Sequence, residues 1–520
     1  LVCEGCGDCG VKSNCVSVQP LETAFGRKRQ IDQSACNKDF SCLDGFCPSF
    51  VTVYGARLKK SAPSAAAPAS PEPVARTLGD RPYSIVVTGV GGTGVVTIAA
   101  ILGMAAHIEG KACGMIDMAG LAQKGGAVFS HVKLARRPED IHAIRVAAGD
   151  ADLILGCDLV VSGAKKVLAA LRGPETGFVV NSAEIYPGDF TRNPDFSLPA
   201  ERIKRAIKAA SGDGALFVDA TRAANALVGN AIGANMFMLG YAYQAGYVPL
   251  SAAAIRRAIE LNGEAIAMNL AAFDWGRAAY AEPQSIAAVG EPPARPAPAE
   301  TLEEIVARRA DFLTGYQNAA YAGRYRAMVA RIEAAERQRT PGLTGLAAAV
   351  ARNLFKLMAY KDEYEVARLY TDGSFKKQVE ATFEGDLRFE YHLAPPLLAL
   401  KDRRTGEARK MRFGGWMIQG FKALAALRFL RGSAFDPFGY LPERREERRL
   451  IGEYEALCEE LAARLSPENH ALAVALASLP EKIRGFGHVK ARAIAATAAE
   501  GEKLIARWRS PAAPLQDAAE

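Results

Sequence analysis

The sequence has no apolar run long enough to cross a bilayer: stretches such as 98–106 end well short of the ~20 residues a spanning helix needs. It shows no charged opening followed by an apolar core, so a secretory signal is not expected and a cytoplasmic location is. Charge of a single sign is scarce. The net charge is +7 over 520 residues, and the charged segment 443–449 alternates Glu and Arg, as a solvated helix face does. A nucleic-acid surface calls for a one-sign patch with interleaved aromatics, and neither nucleic acid nor membrane is an expected partner. Cysteine is almost missing beyond residue 47, where only Cys113, Cys157 and Cys458 occur. Without a secretory context, the seven cysteines ahead of them read as metal ligands rather than disulfides.

What remains is ordinary globular composition, 49% hydrophobic and 23% charged, over a length that implies two to four domains. Two Pro/Ala-rich stretches, 61–73 and 291–298, divide the chain. Between them, an apolar β-branched run at 83–90 and strand-like runs at 127–134, 153–155, 178–180 and 216–218 alternate with helical stretches at 93–107, 165–171 and 200–210. That alternation predicts a largely parallel sheet covered on both faces, followed by a helix over 251–261 capped by Ser251. Residues 301–520 carry apolar positions at helical spacing over 346–360, 363–370, 416–430, 444–465 and 491–508, with a strand or two expected over 383–393. The expected domains are 1–60 (iron–sulfur), 61–80 (linker), 81–282 (α/β), 283–300 (linker) and 301–520 (mainly helical).

Cys3, Cys6 and Cys9 have the spacing that wraps three thiolates around one iron–sulfur cube, and Cys47, in the only Cys-Pro pair, supplies a fourth. These four are assigned to one [4Fe–4S] cluster. Cys15, Cys36 and Cys42 are left for a second cluster, whose type the spacing leaves open. The rival for the whole set is a zinc-stabilised scaffold with no redox role. Gly89, Gly91 and Gly94 form a G-x-G-x-x-G turn after a predicted strand and before a predicted helix, where backbone N–H groups can approach a phosphate. Taken alone, that motif also suits an NAD(P)-linked iron–sulfur oxidoreductase, with Asp117 as the ribose acid. The polar glycine loop at 123–126, which leads to Ser130 and His131, is not something a nicotinamide site calls for.

The cysteine segment 3–10, with 22–29 and 32–42, resembles the ferredoxin-like part of fused indolepyruvate ferredoxin oxidoreductases. The glycine turn and the 123–131 loop resemble the γ domain of the 2-oxoacid:ferredoxin oxidoreductases. The stretches 359–370, 436–439 and 481–490 resemble the tail of the same fused enzymes. The implied fold is multidomain α/β: a small ferredoxin-like domain, a doubly wound γ domain with a parallel sheet, and a mainly helical C-terminal domain. The implied reaction joins an aryl 2-oxoacid, coenzyme A and ferredoxin to give an acyl-CoA, CO₂ and reduced ferredoxin. Thiamine diphosphate and Mg²⁺ would be held by an upstream part of the enzyme, and the opening at Leu1 reads as the back part of a longer polypeptide. Family enzymes are dimeric, so a homodimer is implied.

By position, the resemblance assigns Gly91, Gly92, Thr93 and Gly94 to phosphate, and Gln123, Lys124, Gly125 and Gly126 to the cleft. His131 is the candidate catalytic imidazole. Gly212–Gly214 mimics the start of a thiamine diphosphate clamp, but the Asn pair that should follow is missing, and it is read as a decoy. Lys361, Asp362, Glu363 and Arg368 are read as a solvated helix face, with a buried ion network as the alternative. Arg484, His488 and Lys490 are candidates to touch a phosphate or carboxylate.

Overall fold

The computed structural model describes residues 1–510 apart from 34–35, 60–65, 92–93, 120–125, 187–188, 288–299 and 397–405. The cysteine segment contains a small antiparallel ladder, β1 (Val18–Leu21) with β2 (Lys28–Ile31), and ends in β3 (Val51–Leu58). The α/β region builds a six-stranded sheet from β4 (Tyr83–Val90), β5 (Ala112–Ala119), β6 (Ala127–Ala135), β7 (Leu153–Gly156), β8 (Gly177–Asn181) and β9 (Ala215–Val218). The C-terminal region adds β10 (Phe383–Leu393) and β11 (Met411–Phe413).

The large sheet has the order β5-β6-β4-β7-β8-β9. The pairs β4–β7, β7–β8 and β8–β9 are parallel, while β6 runs antiparallel to both β4 and β5. The largely parallel sheet expected from the sequence is therefore mixed, because β5 and β6 form an antiparallel unit rather than another β-α-β step. Alternate residues of β4 serve two cores. Ile85 and Val87 pack under the helices Val95–Ile108, Ala234–Gln244 and Ala252–Asn262, whereas Val86 faces Ile154, Phe178 and Val180 on the other side. Both faces are covered, and the expected helix over 251–261 is capped as predicted, with the Ala254 N–H donating to Ser251 Oγ at 3.2 Å.

The segment 66–80 does more than space two domains. Gln244 Nε2 donates to Pro71 O at 2.7 Å, the Tyr243 hydroxyl donates to Glu72 at 2.5 Å, and Arg76 Nη1 donates to Asp152 O at 2.8 Å. Leu78 joins the main core. This stretch cannot fold on itself, but it is laced along the α/β surface.

β3 leaves the cysteine segment and pairs antiparallel with β10, giving the sheet β11-β10-β3. The helices Leu302–Tyr316, Ala319–Arg339, Leu346–Met358, Pro442–Arg464 and Gly487–Arg509 surround one apolar core built around Tyr316, Tyr325 and Leu354. The charged stretch 361–368 is not a solvated face. Arg431 clasps the Asp362 carboxylate at 2.5 and 2.8 Å, with both side chains buried and the guanidinium 3.6 Å from the Tyr316 ring centroid. Within 443–449, Arg444 and Glu447 are buried and paired, while Arg449 bridges Glu446 and Glu453 in solvent.

Two consequences can be measured by denaturant unfolding. A Cβ on Gly276 would sit 2.0 Å from Phe237 O across the closest helix crossing. Gly276→Ala should therefore cost on the order of 1–3 kcal/mol or more, while Gly323→Ala, with nothing within 4 Å, should be neutral or slightly stabilising. Arg431→Met strands the buried Asp362 carboxylate and should cost ~3–5 kcal/mol; a loss no larger than that of an exposed Arg→Met control would refute the burial argument.

Candidate functional site

The cysteines fall into two sets. Cys6 and Cys9 feel the charge of Cys3 and Cys47, while Cys42 feels Cys15 and Cys36. The sets adjoin, since Cys9, Cys15 and Cys42 share one small apolar cluster with Val18 and Phe50. None is in a disulfide. Burial, reinforced by repulsion within each set, pushes the Cys6 thiol up to about 12 and the Cys42 thiol up to about 11, and it raises Cys9 and Cys47 as well. Such thiols ionise only when a cationic centre stabilises the thiolates.

Backbone donors are already aimed at the sulfurs. The Gly5 N–H donates to Cys3 Sγ at 3.3 Å and the Lys38 N–H to Cys36 Sγ at 3.4 Å. Asp8 and Ser49 supply the equivalent N–H groups, two residues on, to Cys6 and Cys47. Among the described residues no three His, Cys, Asp or Glu side chains converge on a single point. The thiolates of an iron–sulfur cube bind different irons and need no such convergence. Thiol sets with Cys9 and Cys15 buried, the other five cysteines half-buried and N–H donors aimed at sulfur fit clusters of this kind.

The surroundings are cationic. Burial pushes the Glu4 carboxyl up, but Lys28, Lys361, Lys490 and Lys356 outweigh it and hold Glu4 below the usual range. Burial takes the Lys356 ammonium down to about 7. Lys410, 363 residues along the chain from Cys47, donates to Gly45 O at 2.6 Å. Sequence reasoning missed Lys356 and Lys410, because nothing local to them marks them as neighbours of the cysteines. The three side chains expected to meet an anionic ligand already have protein partners. Arg484 and Lys490 pair with Asp195 and Glu447 at 2.5 Å, and His488 packs on the Phe46 ring at 4.7 Å.

At the end of β4, Gly91 N–H donates to Gly126 O at 2.7 Å, so Gly91 and Gly126 are brought together. Gly94 caps the helix Val95–Ile108 with φ +86°, a conformation only glycine adopts cheaply, and brings no capping side chain of its own. Gly89 lies close under Val95 and Cys157, where a Cβ would meet atoms at 2.8 and 3.1 Å. Gly92, Thr93, Gln123, Lys124 and Gly125 lie outside the described residues.

Asp117 is not part of this turn. It sits on edge strand β5, opposite Ser130 of β6, which in turn faces Val87 of β4. With β6 interposed, Asp117 lies two strand spacings, about 10 Å, from β4. It is exposed and accepts from the Ser130 hydroxyl at 2.5 Å. The ribose acid of a dinucleotide site is thus not delivered to the glycines. Gly212–Gly214 is the turn between the helix Ala200–Ser211 and β9. It does not fit a diphosphate clamp, and no thiamine chemistry is assigned to it.

His131 occupies the middle of β6, opposite Val86, on the sheet face away from the helix Val95–Ile108. Its Nδ1 accepts from the Val146 N–H at 3.3 Å, and Nε2 is buried without a partner. The residue lines a cleft of about 380 Å³ with Phe129, Arg145 and Lys166, two of them cations that sequence reasoning did not single out. The glycine turn and His131 therefore form two separate places rather than one.

Two family models match, one over the α/β region and one over the C-terminal region. Residues 84–279 match the pyruvate ferredoxin/flavodoxin oxidoreductase family, and residues 302–503 match a family of unknown function (DUF6537). An indolepyruvate oxidoreductase subunit IorB of Pyrococcus horikoshii is 31% identical over 38% of this chain and 95% of its own length. The chain belongs to the 2-oxoacid:ferredoxin oxidoreductase family, indolepyruvate type. The corresponding IorB subunit of Methanothermobacter thermautotrophicus is 29% identical over 38% of this chain and 98% of its own. The gamma subunit of a keto/oxoacid ferredoxin oxidoreductase from Geobacter sulfurreducens aligns with 38% of this chain and 98% of that chain, at 23% identity and TM-score 0.28. Among the described residues no helix is long and apolar enough to cross a membrane.

Burial, then Lys166, Arg145 and Lys133, lower the His131 pKa from 6.5. The folded state binds that proton less readily than the unfolded chain, so the contribution to stability is full above pH 6.5 and is lost as pH falls below it. Wild-type stability should drop more steeply from pH 6.5 to 5 than that of His131→Gln, as read by denaturant midpoints. Parallel pH profiles would show that His131 is protonated freely.

Proposed function

We propose that this chain is the electron-exit and cleft-completing part of an indolepyruvate-type 2-oxoacid:ferredoxin oxidoreductase, acting on an aryl 2-oxoacid. The observation that carries the reading is the pair of thiol sets in a segment hydrogen-bonded, through Asn14, Arg27 and Arg29, to an α/β domain of this family. The relatives in that domain are named as subunits of indolepyruvate oxidoreductases, which supports assembly with thiamine-binding partners or upstream domains.

Cys3, Cys6, Cys9 and Cys47 would hold a [4Fe–4S] cluster, and Cys15, Cys36 and Cys42 a second one with three thiolates. Such clusters supply one-electron transfer to an external ferredoxin. The residues of this chain prepare for it. Burial keeps water from the thiolates, N–H groups donate to sulfur, and cations offset the negative charge. The helix start after Gly94, with Gly91 and Gly126 beside it, would receive the phosphates of coenzyme A. His131, a neutral imidazole in its own cleft, is kept as a candidate ligand contact.

The test is iron and acid-labile sulfide content of protein prepared without oxygen, with EPR after dithionite reduction. The expected result is at least about four iron and four sulfide per chain, rising to about eight where the second set holds a cube. Cys9→Ser should abolish one reduced-cluster signal and spare the other. Zinc in place of iron and sulfide would overturn the reading.

A further inference from the structure

The C-terminal region matches a family of unknown function, yet it touches the cysteine segment at almost every turn. The Tyr370 hydroxyl donates to Pro48 O at 2.6 Å, immediately after Cys47. A Cβ on Gly485 would lie 3.4 Å from Cys6 Cβ. The deepest of these intrusions is Lys410. Its Nζ donates to Gly45 O at 2.6 Å, between Cys42 and Cys47 in the chain, and lies 5.5 Å from the Phe50 ring centroid.

The backbone of Lys410 is equally fixed. It precedes Met411, the first residue of β11, which pairs with Leu393 of β10. Tyr391 of β10 pairs with Val51, the first residue of β3 and four residues beyond Cys47. Lys410 and Cys47 therefore hang from one three-stranded sheet, and neither can shift without the other.

We propose that Lys410 is a positioning residue of the iron–sulfur site: a fixed cation, supplied by the C-terminal domain between the two thiol sets, that raises the reduction potential of the cluster held by Cys47. An added electron makes a thiolate-bound cluster more negative, and a nearby ammonium stabilises that form more than the oxidised one. Among the charged groups that face Lys410 are Cys47, Asp44, Cys42 and Asp8, all acidic. Burial pulls its pKa down from the ordinary lysine value, and those four groups oppose the loss of its proton. The domain of unknown function thus gains a role, in which it closes the site and sets its potential.

The inference rests on the iron–sulfur reading, and its test separates the two. Whole chains carrying Lys410→Gln and Lys410→Arg are prepared without oxygen beside wild type, assayed for iron and sulfide, and titrated potentiometrically with EPR detection. Glutamine can still donate to Gly45 O, so the tie to the loop survives without the charge. The expected result is wild-type iron in all three, a more negative midpoint for one signal in Lys410→Gln, and a near wild-type midpoint in Lys410→Arg. Equal midpoints in Lys410→Gln and wild type would overturn the proposal. So would an equal shift in Lys410→Arg, or loss of iron from Lys410→Gln, which would make the lysine a structural tie. Wild-type protein without iron and sulfide would instead overturn the functional reading itself.

Discussion

The cysteine segment is a wedge held from two sides, and the order of its thiols depends on both. Its own core amounts to Cys9, Cys15 and Val18, far too little apolar surface to offset the conformational entropy of about fifty residues. From the α/β side, Pro194 O accepts from Arg29 at 2.8 Å, Phe196 O accepts from Arg27 at 2.9 Å, and the Thr191 hydroxyl donates to Asn14 at 2.9 Å. From the C-terminal side, β10 pairs with β3, Phe25 stacks between Phe312 and Phe355, and Arg309 donates to Ala24 O at 2.8 Å. Each hydrogen bond contributes only ~1 kcal/mol net, but together they replace the core that the segment lacks. A cluster site built this way is an interface site.

The sheet carries a second constraint. Because β6 runs antiparallel between β4 and β5, the edge acid Asp117 is carried away from the glycine turn, and a motif that reads as a dinucleotide fingerprint loses its ribose partner. The same alternation along the strands puts Val87 and His131 on opposite faces. Ligand chemistry at the glycine turn and ligand chemistry at His131 are thereby separated by the thickness of the sheet.

Much of this was legible in the sequence, and the reason is local. Buried parallel strands such as 153–155 and 178–180 are short apolar runs that a period-independent reading finds. The grouping of Cys3, Cys6 and Cys9 with Cys47 follows from spacing and one Cys-Pro pair, and the thiols are neighbours in the fold. What escaped was non-local. β5 was passed over because its Gly114 and Asp117 look like loop residues, although an exposed edge strand tolerates both. The buried pairing of Asp362 with Arg431 joins residues 69 apart and leaves no periodic trace, so a charge-rich stretch read as a solvated face. Lys410 reaches Gly45 across 365 residues, and no window along the chain contains both.

Charge balance gives an independent reason to place negative charge at the first thiol set. Lys28, Lys356, Lys361 and Lys490 crowd around Glu4, the residue between Cys3 and Cys6. Lys490 is shared with Glu447, which also pairs with Arg444, and Arg444 pairs with Glu363. Glu365 stands beside Lys361 and Glu481 beside Lys356, so the lysines belong to a dense mixed ion network next to the first thiol set. Ammonium groups drawn out of water are costly unless negative charge compensates them, and burial takes the Lys356 ammonium down to about 7. Neutral thiols supply no compensation, and bare thiolates repel one another. Four thiolates bound to an iron–sulfur cube carry net negative charge, delocalised and fixed at the centre of those cations. With such a cube in place, the lysines and the thiolates would each offset part of the other's cost of burial.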